Sequence, residues 1–270
     1  MVRNEGDRIR RVVMCTPTTE YFSVDDIEMH NINEPADPEL TLQQHDRLKA
    51  IFEVAGTEVI DVPELAGHPN SVFTRDVSLL TPDGYVMVRM GLESRRGEEP
   101  WMSEILESMG VPCAGEITDP GTLEGGDVIL AGPVAFVGDS CRSNKEGVAQ
   151  LTSILNGMGY EVRVALVDDD YMHIGGVMSS IGPRRVVCCR ELFEQGFFED
   201  FDTVDIDYIN PSSGNVICMG ENEVVANPAE NGATIKALKK SGVMVHEIDL
   251  GEFRKGAGGP SCLTLPLERG

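Results

Sequence analysis

Residues 127–167 read DVILAGPVAFVGDSCRSNKEGVAQLTSILNGMGYEVRVALV, and this stretch decides the fold. Two apolar runs, DVIL and VAFVG, flank Ala131-Gly132-Pro133, whose turn chemistry reads as a hairpin. From Asn144 the apolar residues recur near 3.6, and Gly159 closes the pattern as a helix C-terminal glycine does. Tyr160–Val167, alternating and rich in valine, predicts a strand. The order is strand, strand, helix, strand.

Outward from this unit, the same order recurs with a period of roughly forty to fifty residues. Helical windows are LQQHDRLKAIFEVAG (42–56), WMSEILESMG (101–110) and NGATIKALKKSG (231–242), each ending on glycine. TEVIDVP, VPCAGEI and VMVHEIDL follow them as strands, and VSLL-TPDG-YVMVRM, VMSSI-GPR-RVVCC and NVICM-GENE-VVANP form the other hairpins. The unit after Cys189 is the weakest, because ELFEQGFFEDF makes a poor helix and DTVDIDYI an irregular strand. The fifth unit is split: SCLTLPL near the end lacks a partner downstream and RVVMCTP near the start lacks one upstream. Pairing them would close a ring and remove two exposed edges. The expectation is an α/β ring of five ββαβ-type units forming a single domain, residues 1–270.

The residues just before each hairpin carry the chemistry. They are Arg75-Asp76, Glu124-Gly125-Gly126-Asp127, His173 to Gly176, Gly214-Asn215 and Gly259 to Cys262. Equivalent positions of a ring face one axis, so acid, imidazole and thiol should meet there. Cys262, after the glycine-rich KGAGGPS, is the nucleophile candidate, since such a run lets a ligand approach the backbone. His173 suits proton transfer near neutrality, and Glu124 can orient and charge-stabilise it. Asp76 offers a carboxylate to a planar cation, and Arg95 and Arg142 can grip a carboxylate with paired N–H groups. Cys15, Cys113, Cys188, Cys189 and Cys218 lie in apolar runs and read as small buried hydrophobes.

With 270 residues and a net charge of −23, the chain lacks the basic face that nucleic-acid binders need. The plainest reading of the acidity is solubility. Seven cysteines without CxxC spacing argue against a disulfide framework or a zinc ribbon. No secretory h-region follows the opening MVRNEGDRIRR and no run approaches a membrane span, which predicts a cytoplasmic protein. No metal-spaced cluster or dinucleotide motif is present, so neither metal nor cofactor is expected.

SVFTRD, ESRRGE, PGTLEGGDV, CRSNKEG, MHIGG and GGPSCLTLP, in order along nearly the whole chain, strongly resemble the dimethylarginine dimethylaminohydrolases, of the guanidine-modifying amidinotransferase superfamily. That resemblance implies a pentein fold, a five-bladed pseudo-symmetric α/β propeller. It implies Cys262 as nucleophile, His173 as general acid/base, Glu124 as its partner and Asp76 as guanidinium ligand, with Arg95 and Arg142 on the substrate carboxylate. The implied partner is a small guanidino compound, without nucleic acid or membrane; a homodimer is left open. Two neighbouring positions counted with the substrate-binding residues depart from the family. Asn70 stands where an acid usually receives the α-amino group, and Arg75 replaces another acid, giving an FTRD like that of arginine deiminases. Deiminases and amidinotransferases usually place a second carboxylate two residues after the histidine; here that position is Gly175, which leaves space for N-alkyl groups. An arginine deiminase, a dihydrolase, an amidinotransferase and a non-catalytic pentein binding protein are the alternatives.

Overall fold

The computed structural model describes residues 1–270. The chain begins with β1 (Ile9–Cys15), α1 (Pro38–Val54) and β2 (Glu58–Val62), then runs through β3 (Leu79–Thr81), β4 (Gly84–Met87), α2 (Glu98–Ser108) and β5 (Cys113–Glu116). The third unit is β6 (Val128–Ala131), β7 (Val134–Asp139), α3 (Lys145–Gly157) and β8 (Glu161–Leu166). The fourth holds three strands only, β9 (Met178–Gly182), β10 (Arg185–Cys189) and β11 (Asp202–Ile206). Last come β12 (Ile217–Gly220), β13 (Glu223–Ala226), α4 (Pro228–Lys240), β14 (Met244–Glu247), the short α5 (Gly251–Arg254) and β15 (Leu265–Arg269).

These strands form five three-stranded sheets, ordered β15-β1-β2, β3-β4-β5, β6-β7-β8, β9-β10-β11 and β12-β13-β14. In each, a central strand has one antiparallel and one parallel neighbour, the arrangement of a hairpin followed by a crossover. The expected pairing of the chain's two ends is present, with Val12 opposite Pro266 and Val13 opposite Leu265. The strand at the C-terminal end is shorter than SCLTLPL. Cys262 therefore precedes it, in a turn.

Helix termini follow the sequence closely. Asp37 and Asn144 accept the amides of Leu40 (2.8 Å) and Gly147 (2.9 Å) as N-caps. Gly56, Gly110, Gly159 and Gly242 all adopt positive φ beyond the helix ends, the left-handed geometry that their lack of Cβ makes cheap. Where ELFEQGFFEDF stands, only a 3₁₀ turn at Arg190–Leu192 forms. Phe193, Phe197 and Phe198 pack on one another, and Phe197, Phe198 and Phe201 pack against Phe136 of the preceding sheet. This aromatic cluster fills the place of the missing helix. The return strand β11 is regular, pairing residue for residue with β10.

Central strands β1, β4, β7, β10 and β13 are mostly buried, while the outermost strands β2, β5, β8 and β14 are largely exposed or half-buried. This corrects one cysteine. Cys113 lies on the outer strand β5 and is exposed, whereas Cys15, Cys188, Cys189 and Cys218 are buried as expected. No helix is long and apolar enough to cross a membrane.

Candidate active site

Each segment before a hairpin ends in a tight turn, and five hydrogen bonds link these segments in succession. Gly125 N donates to Asp76 O (2.8 Å) and Ile174 N to Asp127 Oδ1 (2.9 Å). Gly214 N donates to Gly176 O (2.8 Å), Ser261 N to Asn215 Oδ1 (3.3 Å), and Arg75 N to Cys262 O (3.1 Å). The phase seen in the sequence is thus the phase at which the units meet.

Glycines make these approaches feasible. A Cβ at Gly126 would lie 2.7 Å from both Asp76 Oδ1 and His173 Nδ1, and one at Gly125 would lie 2.2 Å from Arg75 O. The same measure corrects the reading of Gly175. Its Cβ would meet Gly126 O at 2.8 Å, so the glycine is required by backbone packing as much as by any open space. A carboxylate introduced there would displace the turn that carries Glu124.

His173 Nε2 lies 2.8 Å from Glu124 Oε2, and its Nδ1 lies 3.9 Å from Asp76 Oδ1. Glu124 is fully buried, and its other oxygen accepts the amides of Gly91 (3.0 Å) and Leu92 (3.3 Å) with Arg142 at 3.6 Å. Burial disfavours both charged forms, but their mutual attraction prevails. Asp76, Asp127 and Glu124 raise His173 to about 9; His173, Arg95 and Arg142 hold Glu124 down at about 2. The histidine is an imidazolium at neutral pH, held in register by an ionised carboxylate.

Arg95 departs from the expected role. It is 3 % exposed and donates to Asp76 (2.7 Å), twice to Glu98 (2.9 and 2.7 Å), and to the carbonyls of Asn70 (3.3 Å) and Phe73 (3.1 Å). With its fork engaged, it orients Asp76 rather than presenting itself to a substrate carboxylate. Asp76 Oδ2 is held; Oδ1 is buried with no partner. Arg75 likewise is committed, to Glu5 Oε1 (2.7 Å) and Val128 O (2.6 Å), and ties the N-terminus to the third unit. Asp76 thus pairs with Arg95, and its sequence neighbour Arg75 pairs elsewhere. Arg142 has no carboxylate partner closer than Glu124 Oε1 at 3.6 Å, its guanidinium otherwise standing beside the Cys141 thiol. Asn70 donates to His30 O (2.9 Å), while its Oδ1 is buried and unpartnered, an acceptor still open to an ammonium.

Cys262 lies between two cavities. A small one of about 30 Å³ includes Asn70, Asp76, Arg95, Arg142 and His173, and a larger one of about 610 Å³ includes His173, Gly175, Gly176 and Asn215. Burial and then Asp76 push the thiol up, while Gly259, Asn215 and Ser261 hold it back. Ligand-type atoms of Asp76, Glu124 and His173 lie within 4.8 Å of one another, a set that by atom type could receive a metal ion. Glu124 is saturated and Arg95 and Arg142 flank the group, so the free Asp76 oxygen suits an organic cation better.

Asp127, which the sequence places in the segment before its hairpin but assigns no role, also belongs to the site. This carboxylate is fully buried, accepting the Ser140 and Ser143 hydroxyls (2.6 Å each) as well as Ile174 N. Ser143 Oγ in turn accepts Glu124 N (3.0 Å), and Ser140 Oγ accepts Arg142 N (3.0 Å). One carboxylate therefore references the backbones of Glu124, Arg142 and the residue after His173. Burial pushes it up to about 6, so it is ionised at neutral pH. The signal in the sequence was the pair of serines flanking Arg142.

A family profile described as N,N dimethylarginine dimethylhydrolase, eukaryotic, matches residues 18–267. An N(G),N(G)-dimethylarginine dimethylaminohydrolase of Pseudomonas aeruginosa is 28% identical over 256 residues, covering 95% of this chain and 98% of its own. An uncharacterized protein of Aeropyrum pernix is 32% identical over 218 residues, covering 79% and 78%. The solved structure of a cysteine-to-serine mutant of the Pseudomonas aeruginosa enzyme, complexed with citrulline, has a TM-score of 0.82 at 25% identity, covering 96% and 99%. The N-terminal domain of ArgZ, an arginine dihydrolase from cyanobacteria, shares the fold, with a TM-score of 0.83 at 21% identity over 97% and 98%. By the match over residues 18–267, the chain belongs to the N,N-dimethylarginine dimethylhydrolase family.

Proposed function

We propose that the chain hydrolyses the guanidinium group of an arginine derivative, taking N-methylated arginine to citrulline and an alkylamine through a covalent S-alkylthiouronium on Cys262. The observation that carries this reading is an unpartnered Asp76 oxygen beside a Glu124-bound imidazolium, in a site bordered by a thiol. Relatives bearing the family name, and one holding citrulline, support the substrate class. We take residues 1–270 as one catalytic domain closed into a five-bladed propeller, which the succession of five hydrogen bonds and the pairing of β1 with β15 support. Seven unpaired cysteines suit a reducing cytoplasm.

The guanidinium docks with one N–H edge on Asp76 Oδ1, and Arg142 takes the substrate carboxylate. The cation offsets the two influences that raise the thiol, so Cys262 gives its proton to solvent when substrate is bound rather than in the resting site. The thiolate adds to the guanidinium carbon, and the C–N bond to the leaving amine breaks as His173 gives that nitrogen a proton. His173, now neutral, takes a proton from water. The hydroxide adds to the same carbon, the C–S bond breaks, the hydroxyl proton passes to solvent as the ureido carbonyl forms, and the sulfur leaves as thiolate with the imidazolium restored. Glu124 holds the ring of His173 in place throughout and stabilises it whenever it is charged. Dividing one displacement into two is the usual gain of a covalent nucleophile.

The test is to offer N-methylated arginines and free arginine side by side and identify products by mass spectrometry, before and after exhaustive chelation. Citrulline with alkylamine, undiminished by chelator and abolished in Cys262→Ser, is the expected result. Preference for free arginine, with ammonia released, would move the assignment to a deiminase or dihydrolase. An amine as final acceptor would make it an amidinotransferase, and no selective labelling of Cys262 by a thiol-reactive amidine would leave a binding protein.

A further inference from the structure

Asn215 sits in the turn before β12, and no step above uses it. It is 5 % exposed, and its Nδ2 lies 3.6 Å from Cys262 Sγ. The orientation of the amide is fixed chemically: Ser261 N can only donate, so the oxygen must face it at 3.3 Å and the NH₂ must face the sulfur. Its backbone is fixed as well. Asn215 N donates to Ser212 O (3.0 Å), and the preceding Gly214 is pinned to the histidine's segment through Gly176 O and to Ser179 Oγ (2.8 Å). A Cβ at Gly259 would lie 2.6 Å from Asn215 Oδ1, so that glycine in GGPSC is what lets the amide reach the nucleophile's loop.

We infer that Asn215 is a further catalytic residue, whose side-chain amide donates a hydrogen bond to the Cys262 thiolate while its oxygen anchors the loop carrying the cysteine. The inference rests on Cys262 being the nucleophile. The need for such a donor follows from the site. Asp76 opposes a negative sulfur, and His173 is bound to Glu124 through Nε2. A neutral amide favours the thiolate over the thiol without adding a charge that would compete for the guanidinium. It can also receive the sulfur when the C–S bond breaks. The donor serves the charged form of sulfur in both halves of the reaction, which is what differential stabilisation requires.

Other groups face the sulfur and would remain in any substitution at 215. Asp76, His173, Arg95 and Arg142 border the small cavity, and the large one carries Glu5 paired with Arg75 and Glu230 paired with Arg254. Glu34, Asp169, Asp170 and Lys255 complete its charged lining. A shift in thiol titration on changing Asn215 to a neutral side chain therefore belongs to the amide, and any excess in an aspartate variant to the added charge.

The test is the pH dependence of iodoacetamide alkylation at Cys262, followed by mass spectrometry, in the wild type, Asn215→Leu and Asn215→Asp, with thermal unfolding of each. Leucine keeps the volume and removes both functions; aspartate keeps the acceptor for Ser261 N and removes the donor. Both variants should titrate the thiol at higher pH, leucine by about one unit and aspartate by more, with alkylation at pH 7 slowed roughly tenfold or more. Turnover should fall in parallel while KM changes less than kcat. A thiol titration unchanged in the folded leucine variant, or an aspartate variant with wild-type turnover, would overturn the inference and leave Asn215 as a loop anchor. Should leucine unfold the protein, Asn215→Met, which also lacks the donor and adds no charge, decides in its place. Failure of wild-type Cys262 to alkylate selectively would instead overturn the nucleophile assignment, so the two readings fail separately.

Discussion

The guanidinium of Arg95 is fixed by two carboxylates and two carbonyls, whereas that of Arg142 touches a single carboxylate oxygen at 3.6 Å. Both lie in short turns beside the same small cavity. What separates them is the charge behind them. The Arg95 segment folds onto the first turn of α2, where Glu98 is buried with Arg95 as its ion-pair partner and is pushed up to about 7 despite it. The Arg142 segment is held by its backbone, through Ser140 and Asp127, so its side chain is free. An arginine that neutralises two buried acids organises a site; an arginine held by its backbone alone can receive a ligand.

The largest effect is expected from Arg95→Ala. Removing the partner of Asp76 and Glu98 should destabilise the fold by about 3–5 kcal/mol, and kcat should collapse because Asp76 loses its orientation. Differential scanning calorimetry and steady-state kinetics check both. A near-normal melting temperature with only KM raised would make Arg95 a substrate ligand and erase the contrast.

Arg142→Ala should leave the fold intact and lower kcat/KM for amino-acid guanidines by roughly 10–150-fold, the worth of one charge-assisted contact, with most of the change in KM. A guanidine lacking the carboxylate should be nearly indifferent. Equal losses for both substrates would show that Arg142 acts through Glu124 instead.

Asp127→Asn removes the charge that references the Arg142 segment and supports the imidazolium. The alkaline limb of the rate profile, set by loss of the His173 proton near pH 9, should move down by about one unit. A limb that stays in place while turnover falls would reduce Asp127 to a packing role.

The smallest effect concerns stability against pH. His173 rises from an ordinary 6.5 to about 9, so its contribution is complete below 6.5 and is lost as pH climbs through 9. Glu124, lowered to about 2, contributes above about 4.5 and loses this as pH falls toward 2. Melting temperature should therefore plateau between these windows and drop by roughly 2–6 °C by pH 9.5, a drop that His173→Gln should flatten. A wild-type slope unchanged in that variant would assign the alkaline loss to other groups.

Local signals were enough for much of the architecture. Terminal glycines, turn residues and the two apolar periods, 3.6 and 2, depend on a residue and its near neighbours, so four helices, the hairpins and the pairing of the chain's ends were legible from the letters alone. So was the phase that gathers Asp76, Glu124, His173, Asn215 and Cys262, because a repeat converts sequence position into spatial position. The tertiary structure decided which arginine is free, that Asp127 is a hub joining three segments, that Gly175 is packed against Gly126, and that phenylalanines replace a helix after β10. Each of these depends on partners distant in the chain: Arg75 on Glu5, Arg95 on Asp76, Ile174 on Asp127, Phe201 on Phe136. A charge is committed or available according to what else is buried beside it, and only folding supplies that.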